Sequence, residues 1–338
     1  MTPKRSIIPV FVPHLGCPQD CVFCNQRRIS GSPEPATAEK TVEIIEEALS
    51  FLPKNTGKTV AFYGGSFTAI DPALQEELLG SVQPYIKAGR IKDIRLSTRP
   101  DAVDEEVIAR LKRFNVRTVE IGVQSMDKEV LLLSKRGHTA QDAERAARLI
   151  KAAGFELILQ MMTGLPGDTP EKSIETARKF CSLKPDGVRI YPTVIIKDTE
   201  LCDKWRRGEY REHSVQDAIE LGADLLDIFE NAGITVVRFG LNPTEDLSCG
   251  DAVGGAYHPA LRELCESVRY LRAERRLLTE ADRGKTARFL VPKGRVSQAV
   301  GQKRANAETL KSEFGIKNAV FIECDEINNP CNIRREYV

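Results

Sequence analysis

Long hydrophobic runs are missing from this sequence of 338 residues. No stretch approaches the roughly 18 to 20 consecutive apolar residues that a membrane-spanning helix requires. The first residues, MTPKRS, lead directly into a strand-like IIPVFV segment without the pattern of a cleavable signal peptide. Internal repeats and low-complexity tracts are absent as well. We therefore expect a cytoplasmic protein without a membrane partner.

The sequence also lacks a regular arrangement of paired cysteines. Its nine cysteines are an odd number, and three of them fall within eight residues while the others are scattered. This distribution excludes a disulfide framework and favours reduced thiols. The scattered thiols are expected to be ordinary small core residues: Cys181, Cys202, Cys249, Cys265, Cys324 and Cys331.

An excess of one charge sign is missing too, since 49 basic and 48 acidic side chains leave a formal net charge of +1. Hydrophobic residues make up 41% of the chain, which is enough for one large core and a small appendage. We expect two domains, with residues 1–280 in the first and residues 281–338 in the second.

From residue 7 to about residue 240, short β-rich runs alternate with amphipathic helical stretches. The predicted strands are IIPVFV, TVAFYG, DIRLST, TVEIGV, LILQMM and GVRIYP. Such alternation predicts an α/β fold with a parallel sheet, and about six units favour a partial (β/α)6 TIM-like barrel over a closed one. In these folds the chemistry lies just after the carboxyl ends of the strands.

Three cysteines follow the first predicted strand in a C-x3-C-x2-C spacing: Cys17, Cys21 and Cys24. Three thiolates on a short loop can hold three irons of a cubane cluster and leave the fourth iron open. The alternative is a structural zinc site in which His14 supplies the fourth ligand. Zinc does not explain why a glycine pair follows the next strand at a position typical of cofactor binding.

Six segments in order resemble the radical S-adenosylmethionine superfamily, and within it the radical domain of the Elongator catalytic-subunit family: HLGCPQDCVFCNQ, FYGGSFTAI, STRPD, EIGVQS, KRGHT and MMTGLPGDT. The resemblance covers roughly residues 6 to 280. It implies a [4Fe-4S] cluster whose open iron binds the amino and carboxylate groups of S-adenosylmethionine. An electron from the cluster then breaks a carbon–sulfur bond and yields a 5′-deoxyadenosyl radical. An electron donor such as ferredoxin or flavodoxin is implied as a partner.

The resemblance also implies roles by position in these motifs. Cofactor contacts are expected from Gly64, Gly65 and Ser66 at the methionyl amino group, Thr98 beside them, Gln124 and Gln160 at the nucleoside, and Arg136 at the carboxylate. Substrate contacts or catalytic roles are expected for Tyr191, Tyr257 and His258. Each has an ordinary alternative: a turn for the glycines, satisfied barrel polar groups for the glutamines, a solvated surface position for Arg136 and core packing for the tyrosines.

The sequence departs from the family in three respects. No segment corresponds to the acetyltransferase domain of the Elongator-type enzymes, so we do not expect the two-carbon transfer. Ser97 stands where many relatives carry a glutamate, which predicts one rearranged polar contact. A second cysteine triplet is absent, which argues against a sulfur-donating cluster.

The last sixty or so residues predict a small α+β domain with a βααβ order that resembles a KH RNA-binding core. Its turn reads Gly301-Gln302-Lys303-Arg304, with arginine in place of the second glycine of the family's loop. Residues 283–317 hold nine basic and two acidic side chains, a charge of +7, and the rest of the chain carries −6. Such asymmetry predicts RNA binding by Arg295, Gly301, Lys303 and Arg304, and the alternative is a turn between packing helices.

The leading hypothesis is a radical enzyme that modifies a nucleotide of tRNA or rRNA. The second is a radical enzyme that acts on a small molecule, as the resemblance of the C-VFC and GLP segments to oxygen-independent coproporphyrinogen oxidases allows. The third is an iron-sulfur RNA-binding protein without turnover. Formation of 5′-deoxyadenosine with RNA or with a porphyrinogen separates the three.

Overall fold

The computed structural model describes residues 6–12, 17, 21–25, 36–53, 56–241, 250–327 and 329–336. His14 and Cys249 lie outside the described residues, as does the side chain of Cys331. The chain forms two compact units, one of Met1–His213 with Ile228–Tyr257 and one of Ser214–Asp227 with His258–Val338. This division differs from the expected boundary near residue 280, and where a separately folding domain begins stays a prediction.

A parallel sheet of seven strands forms the centre of the first unit. The strands of this unit are β1 (Ser6–Phe11), β2 (Lys58–Tyr63), β3 (Asp93–Thr98), β4 (Val116–Gln124), β5 (Glu156–Thr163), β6 (Gly187–Pro192), β7 (Val194–Ile196), β8 (Thr235–Phe239) and β9 (Ala252–Gly255). The sheet has the order β1-β2-β3-β4-β5-β6-β8, while β7 and β9 pair antiparallel with each other. Apolar residues such as Val119, Ile121 and Leu159 are fully buried in the middle strands, as expected for a parallel sheet covered by helices.

The connections between the strands are amphipathic helices. They are α1 (Ala38–Phe51), α2 (Pro72–Lys87), α3 (Glu105–Arg113), α4 (Lys128–Leu133), α5 (Ala140–Ala152), α6 (Pro170–Ser182), α7 (Glu200–Arg206) and α8 (Val215–Asn231), the last divided between the two units. Side-chain caps begin most of them. At the start of α5, for example, Thr139 and Asp142 each accept a hydrogen bond from the other's backbone N–H.

This arrangement confirms the predicted α/β class and the partial TIM-like barrel. The sheet contains one strand more than predicted, because β8 was missed in the sequence. Its five residues, TVVRF, are only partly buried, and a short edge strand leaves a weak alternation pattern.

The second unit contains the predicted βααβ segment. Its elements are α9 (Leu261–Arg276), β10 (Thr286–Pro292), α10 (Val296–Val300), α11 (Ala305–Phe314), β11 (Asn318–Cys324) and β12 (Arg334–Glu336). Strand β10 is central, parallel to β11 and antiparallel to β12. The charged strand β12, of sequence RRE, was not predicted, and Arg335 on it forms an ion pair with the buried Asp282. Whether this unit belongs to the KH family stays a prediction.

In the part of the chain that the structure covers, no helix combines the length and the apolar character needed to cross a bilayer.

A buried carboxyl group lies in the second unit. Glu274 on α9 has no exposed surface, and neither of its carboxyl oxygens has a hydrogen-bond partner. Burial raises the pKa of Glu274 to about 9, because the charged form loses its hydration. The folded state therefore holds a proton that the unfolded state releases near its ordinary pKa.

Replacement of this group tests the effect on stability. Since the folded-state pKa is raised, the contribution of Glu274 to the free energy of unfolding is expected to fall as pH rises from about 4.5 towards 9, by up to about 1.4 kcal/mol per pH unit. Glu274→Gln removes the titration, so its gain in free energy of unfolding over wild type should be larger at pH 8.5 than at pH 5.5. Denaturant unfolding at both pH values measures this, with Glu263→Gln on the same helix as control. An equal effect of Glu274→Gln at both values would contradict the raised pKa.

Candidate active site

A cavity of about 590 Å³ lies in the first unit. Of the residues singled out in the sequence, its lining includes Cys17, Cys21, Cys24, Gly64, Gly65, Ser66, Thr98, Gln124, Arg136, Gln160 and Tyr191. Most of these follow or end successive parallel strands, whose carboxyl ends meet at one edge of the sheet. The structure therefore brings together side chains that are far apart in the sequence.

Tyr257 and His258 have other surroundings. Tyr257 packs against the small cluster of Val194 and Ile196. His258 belongs to the second unit, where its Nδ1 accepts a hydrogen bond from the backbone N–H of Ala260 at 3.1 Å. Their roles at the substrate stay predictions.

The residues between the cysteines hold the cysteine loop in place. Val22 is buried among Ile195, Leu201 and Cys202. Its backbone N–H donates to the carbonyl of Ser134 at 3.3 Å, and its carbonyl accepts from the N–H of Leu201 at 2.7 Å. The apolar pair Val22-Phe23 thus anchors the loop while the neighbouring thiols line the cavity.

The thiols lie beside cationic side chains. Burial raises the pKa of the Cys17 thiol, and Cys21 raises it further, whereas Arg99 and Arg136 oppose both effects. Among the described Cys, His, Asp and Glu side chains, no group of three is placed to hold a single metal ion. A cubane cluster instead distributes three thiolates over three irons, and the two guanidinium groups would offset their charge.

Arg136 is buried at the cavity wall, which rules out the alternative of a solvated surface arginine. Its Nη1 lies 3.1 Å from the sulfur of Cys21, and its Nη2 donates to the carbonyl of Gly122 at 2.6 Å. The carbonyl of Arg136 in turn accepts from Nη2 of Arg99 at 2.8 Å. Nε of Arg136 is buried without a hydrogen-bond partner. A buried donor of this kind fits an anionic ligand group in the cavity.

The turn after β2 requires glycine. Gly64 has φ +94°, and an added Cβ would lie 3.3 Å from the ring of Phe11. The hydroxyl of Ser66 is 2.9 Å from that of Thr98 and accepts from the N–H of Arg99 at 3.2 Å. These hydroxyls hold the turn to β3, so that the backbone of the glycines faces the cavity.

Gln124 lies at an irregularity at the end of β4. The register with β5 shifts between Gly122 and Gln124, and Gln124 adopts φ +68°. Its Oε1 is buried without a partner. A Cβ at Gly122 would lie 3.0 Å from Nε2 of Gln124, so glycine leaves room for the amide. An unsatisfied amide in a cavity wall is a candidate ligand contact.

A polar cluster that was not predicted from the sequence lines the cavity near Gln160. Glu120 on β4 is fully buried and forms ion pairs with Arg189 on β6 at 2.7 Å and Arg95 on β3 at 3.3 Å. It also accepts from the hydroxyl of Tyr63 and from Nε2 of Gln160, both at 3.0 Å. The available signal was a charged residue in the middle of each of three strand segments, flanked on both sides by apolar residues: Arg95, Glu120 and Arg189.

The predicted RNA-binding loop lies in the second unit. Gly301 has φ +78°, and its Cβ would lie 2.8 Å from the backbone nitrogen of Asn306. Lys303 and Arg304 are exposed and adopt φ +50° and +65°, the left-handed region that non-glycine residues rarely occupy. Arg304 precedes α11, whose first N–H groups have no side-chain cap.

Several basic residues of this unit lie near the two ends of β10. Lys285 and Lys317 meet at the amino ends of the parallel strands β10 and β11, where Lys317 N–H donates to the carbonyl of Lys285 at 2.8 Å. Arg295 follows the carboxyl end of β10. The seven residues of β10 separate the two ends by roughly 20 Å. The basic side chains at Lys285 and Lys317 are therefore far from Arg295, while Arg288 lies between the two ends on β10.

Comparison with family models places most of the chain in one family. The model described as "Radical SAM superfamily" matches residues 11–180, and the model described as "Radical_SAM C-terminal domain" matches residues 185–272. The first match alone spans half of the chain.

The chain is also similar to individual proteins and to a solved structure. A tRNA uridine(34) acetyltransferase of Methanocaldococcus jannaschii is 36% identical over 129 residues, which are 37% of this chain and 24% of the relative. A tRNA uridine(34) acetyltransferase of Dehalococcoides mccartyi is 26% identical over 257 residues, covering 64% of this chain and 55% of the relative. The structure of Elp3 from Methanocaldococcus infernus, with an N-terminal deletion, has a TM-score of 0.62 at 23% identity and covers 81% of this chain and 64% of that chain. The chain thus spans only about a quarter of the length of the first relative.

Proposed function

Because this chain belongs to the radical SAM superfamily, whose enzymes use a [4Fe-4S] cluster and S-adenosylmethionine, we propose that it is a radical enzyme that modifies a nucleotide of tRNA or rRNA. The observation that supports this most is the convergence of three thiols, Arg136 and a glycine turn on one cavity. The matched relatives modify tRNA uridine(34), as their names state, which favours an RNA substrate.

The residues of the cavity suggest a division of roles. Cys17, Cys21 and Cys24 would hold the cluster, and Arg136 would pair with the carboxylate of S-adenosylmethionine through its buried guanidinium. The backbone at Gly64 and Gly65 would meet the amino group, and Gln124 would satisfy its buried Oε1 with a hydroxyl of the ribose. When bound, the two cofactors supply a 5′-deoxyadenosyl radical for hydrogen abstraction. An electron donor such as ferredoxin or flavodoxin would serve as partner.

The proposed cluster ligands can be tested by reconstitution. Anaerobic loading with iron and sulfide should give a brown protein that, once reduced, converts S-adenosylmethionine to 5′-deoxyadenosine and methionine. Replacing Cys17, Cys21 or Cys24 by Ala should abolish this, because each change removes an iron ligand, whereas Cys181→Ala on α6, away from the cavity, should retain it. Iron content and 5′-deoxyadenosine are measured. Full clusters in all three variants, or purification with stoichiometric zinc, would refute the assignment.

The role of Arg136 predicts a specific loss of cofactor affinity. Arg136→Ala should weaken binding of S-adenosylmethionine about tenfold to a hundredfold, since a charge-assisted pair is worth roughly 1.5 to 3 kcal/mol. Because Arg136 also contacts the sulfur of Cys21, iron content is measured in parallel and the affinity is compared per loaded cluster. Equilibrium binding to the reconstituted protein tests this, with Arg148→Ala as the control because that side chain is 72% exposed on α5. Equal affinities of wild type and Arg136→Ala would show that the carboxylate binds elsewhere.

The loop of the second unit should contact RNA phosphates through Lys303 and Arg304, with Arg295 nearby. A double variant with Lys303→Asn and Arg304→Asn removes two charges. Asparagine is chosen because it tolerates the left-handed conformation of both positions. The matched control, Lys285→Asn with Lys317→Asn, removes the same charge at the other end of the sheet. The loop variant should bind a tRNA transcript more weakly and with a smaller salt dependence, since fewer counterions are released.

RNA binding across a salt series and cofactor cleavage without RNA are measured for wild type and both variants. Cleavage should be nearly unchanged in the loop variant. If wild type and both variants bind RNA alike, or if none binds, the loop is only a turn between helices. Stimulation of 5′-deoxyadenosine formation by a porphyrinogen but not by RNA would instead favour the small-molecule function.

A further inference from the structure

Glu120 is surrounded by more positive than negative charge. It is the carboxylate partner of two guanidinium groups, those of Arg95 and Arg189, whose side chains are 13% and 11% exposed. Arg189 meets it through two atoms, with Nε 2.7 Å from Oε2 and Nη2 3.0 Å from Oε1. These three residues together carry a net charge of +1 in a region with little water. A low-dielectric site of this kind attracts an anion strongly.

The acceptor capacity of Glu120 is used within the protein. Beyond the two arginines, its Oε1 accepts from Tyr63 and its Oε2 accepts from Gln160, both at 3.0 Å. These four donors leave the carboxylate little capacity for a donor group of a ligand. The cluster therefore presents its donors, rather than its carboxylate, to the cavity.

The hydroxyl of Tyr191 and Nη1 of Arg189 are the donors that the cluster presents to the cavity. Nη1 of Arg189 lies 3.4 Å from the hydroxyl oxygen of Tyr191, and both residues line the cavity. That oxygen accepts from Arg189, and among the described residues the hydroxyl hydrogen of Tyr191 has no acceptor, so it can donate to a ligand. Burial raises the pKa of Tyr191, so the phenol keeps this hydrogen at neutral pH.

We propose that Arg189 and Tyr191 form a subsite on β6 that binds an oxyanion group of the substrate, a phosphate or a carboxylate. The guanidinium supplies charge and a planar donor edge, and the phenol supplies a second donor directed by its contact with Arg189. Glu120 is a positioning residue, since its ion pair with Arg189 and the hydrogen bond from Nη2 to Oε1 fix the orientation of the guanidinium. This subsite rests on the proposed function: in an RNA substrate the oxyanion is a nucleotide phosphate, and in a small substrate it is a carboxylate.

The test uses the reconstituted, unreduced protein with saturating S-adenosylmethionine, so that no turnover occurs and the cofactor's own carboxylate is already bound. Calorimetric titrations compare uridine 5′-monophosphate, uridine and glutarate. The variants are Arg189→Gln, Tyr191→Phe and the exposed control Arg148→Gln. Tyr191→Phe keeps the ring and the ion pairs with Glu120, so it reports on the subsite even if Arg189→Gln folds poorly.

Uridine 5′-monophosphate should bind wild type and Arg148→Gln about tenfold more tightly than uridine, and this preference should disappear in Arg189→Gln and shrink in Tyr191→Phe. Tighter binding of glutarate than of the nucleotide, with the same loss in the variants, would support the subsite but refute an RNA substrate. Two results would overturn the proposal and leave the cluster as a structural ion-pair network. One is wild type that binds uridine 5′-monophosphate no more tightly than uridine, and the other is a preference for the nucleotide that stays the same in Arg189→Gln and Tyr191→Phe. So would loss of probe binding on addition of S-adenosylmethionine, because Arg189 would then bind the cofactor.

RNA modification by the same variants, assayed after the cluster is reduced, separates the two proposals. RNA that is modified equally by wild type and by Arg189→Gln contradicts the subsite alone. Nucleotide binding that depends on Arg189, without modification of any RNA, contradicts the proposed substrate alone.

Discussion

The parallel alignment of seven strands is the constraint on which the candidate site depends. Parallel strands end at the same edge of a sheet, so the segments that follow β1, β2, β3 and β4 come together although they are distant along the chain. The cysteine loop, the glycine turn and Gln124 each sit at such an end. Their common cavity is thus a consequence of topology, and the apolar anchor of Val22 only fixes the loop within it.

The distribution of charge divides the cavity wall into two groups of residues. Arg99 and Arg136 lie with the thiols, where thiolate ligands and a cofactor carboxylate would offset their charge. Arg189 lies with Glu120, whose acceptor positions are occupied by protein donors. Under the proposals above, the first group would bind the carboxylate of the cofactor and the second an oxyanion of the substrate, by separate charged contacts.

Backbone strain in the second unit is concentrated at its predicted binding loop. Lys303 and Arg304 both occupy the left-handed region, which costs of order 1 kcal/mol for residues with a Cβ. Glycine would avoid this cost, but both positions carry long cationic side chains, those of Lys303 and Arg304. Such strain is consistent with a loop whose side chains are placed for contact with a ligand.

The order of the βα units, the cysteine spacing and the basic tail could all be read from the amino-acid sequence, because each depends on residues close together in the chain. Local patterns of this kind determine the α/β class, most strands and the cysteine loop. The cluster of Glu120, Arg95 and Arg189 could not be predicted in the same way, since its members lie on three strands and meet only through the register of the sheet. Likewise, the burial of Arg136 and the seventh strand depend on packing between distant segments. Tertiary structure decided these features, because an inward direction and a buried ion pair arise only when the strands lie side by side.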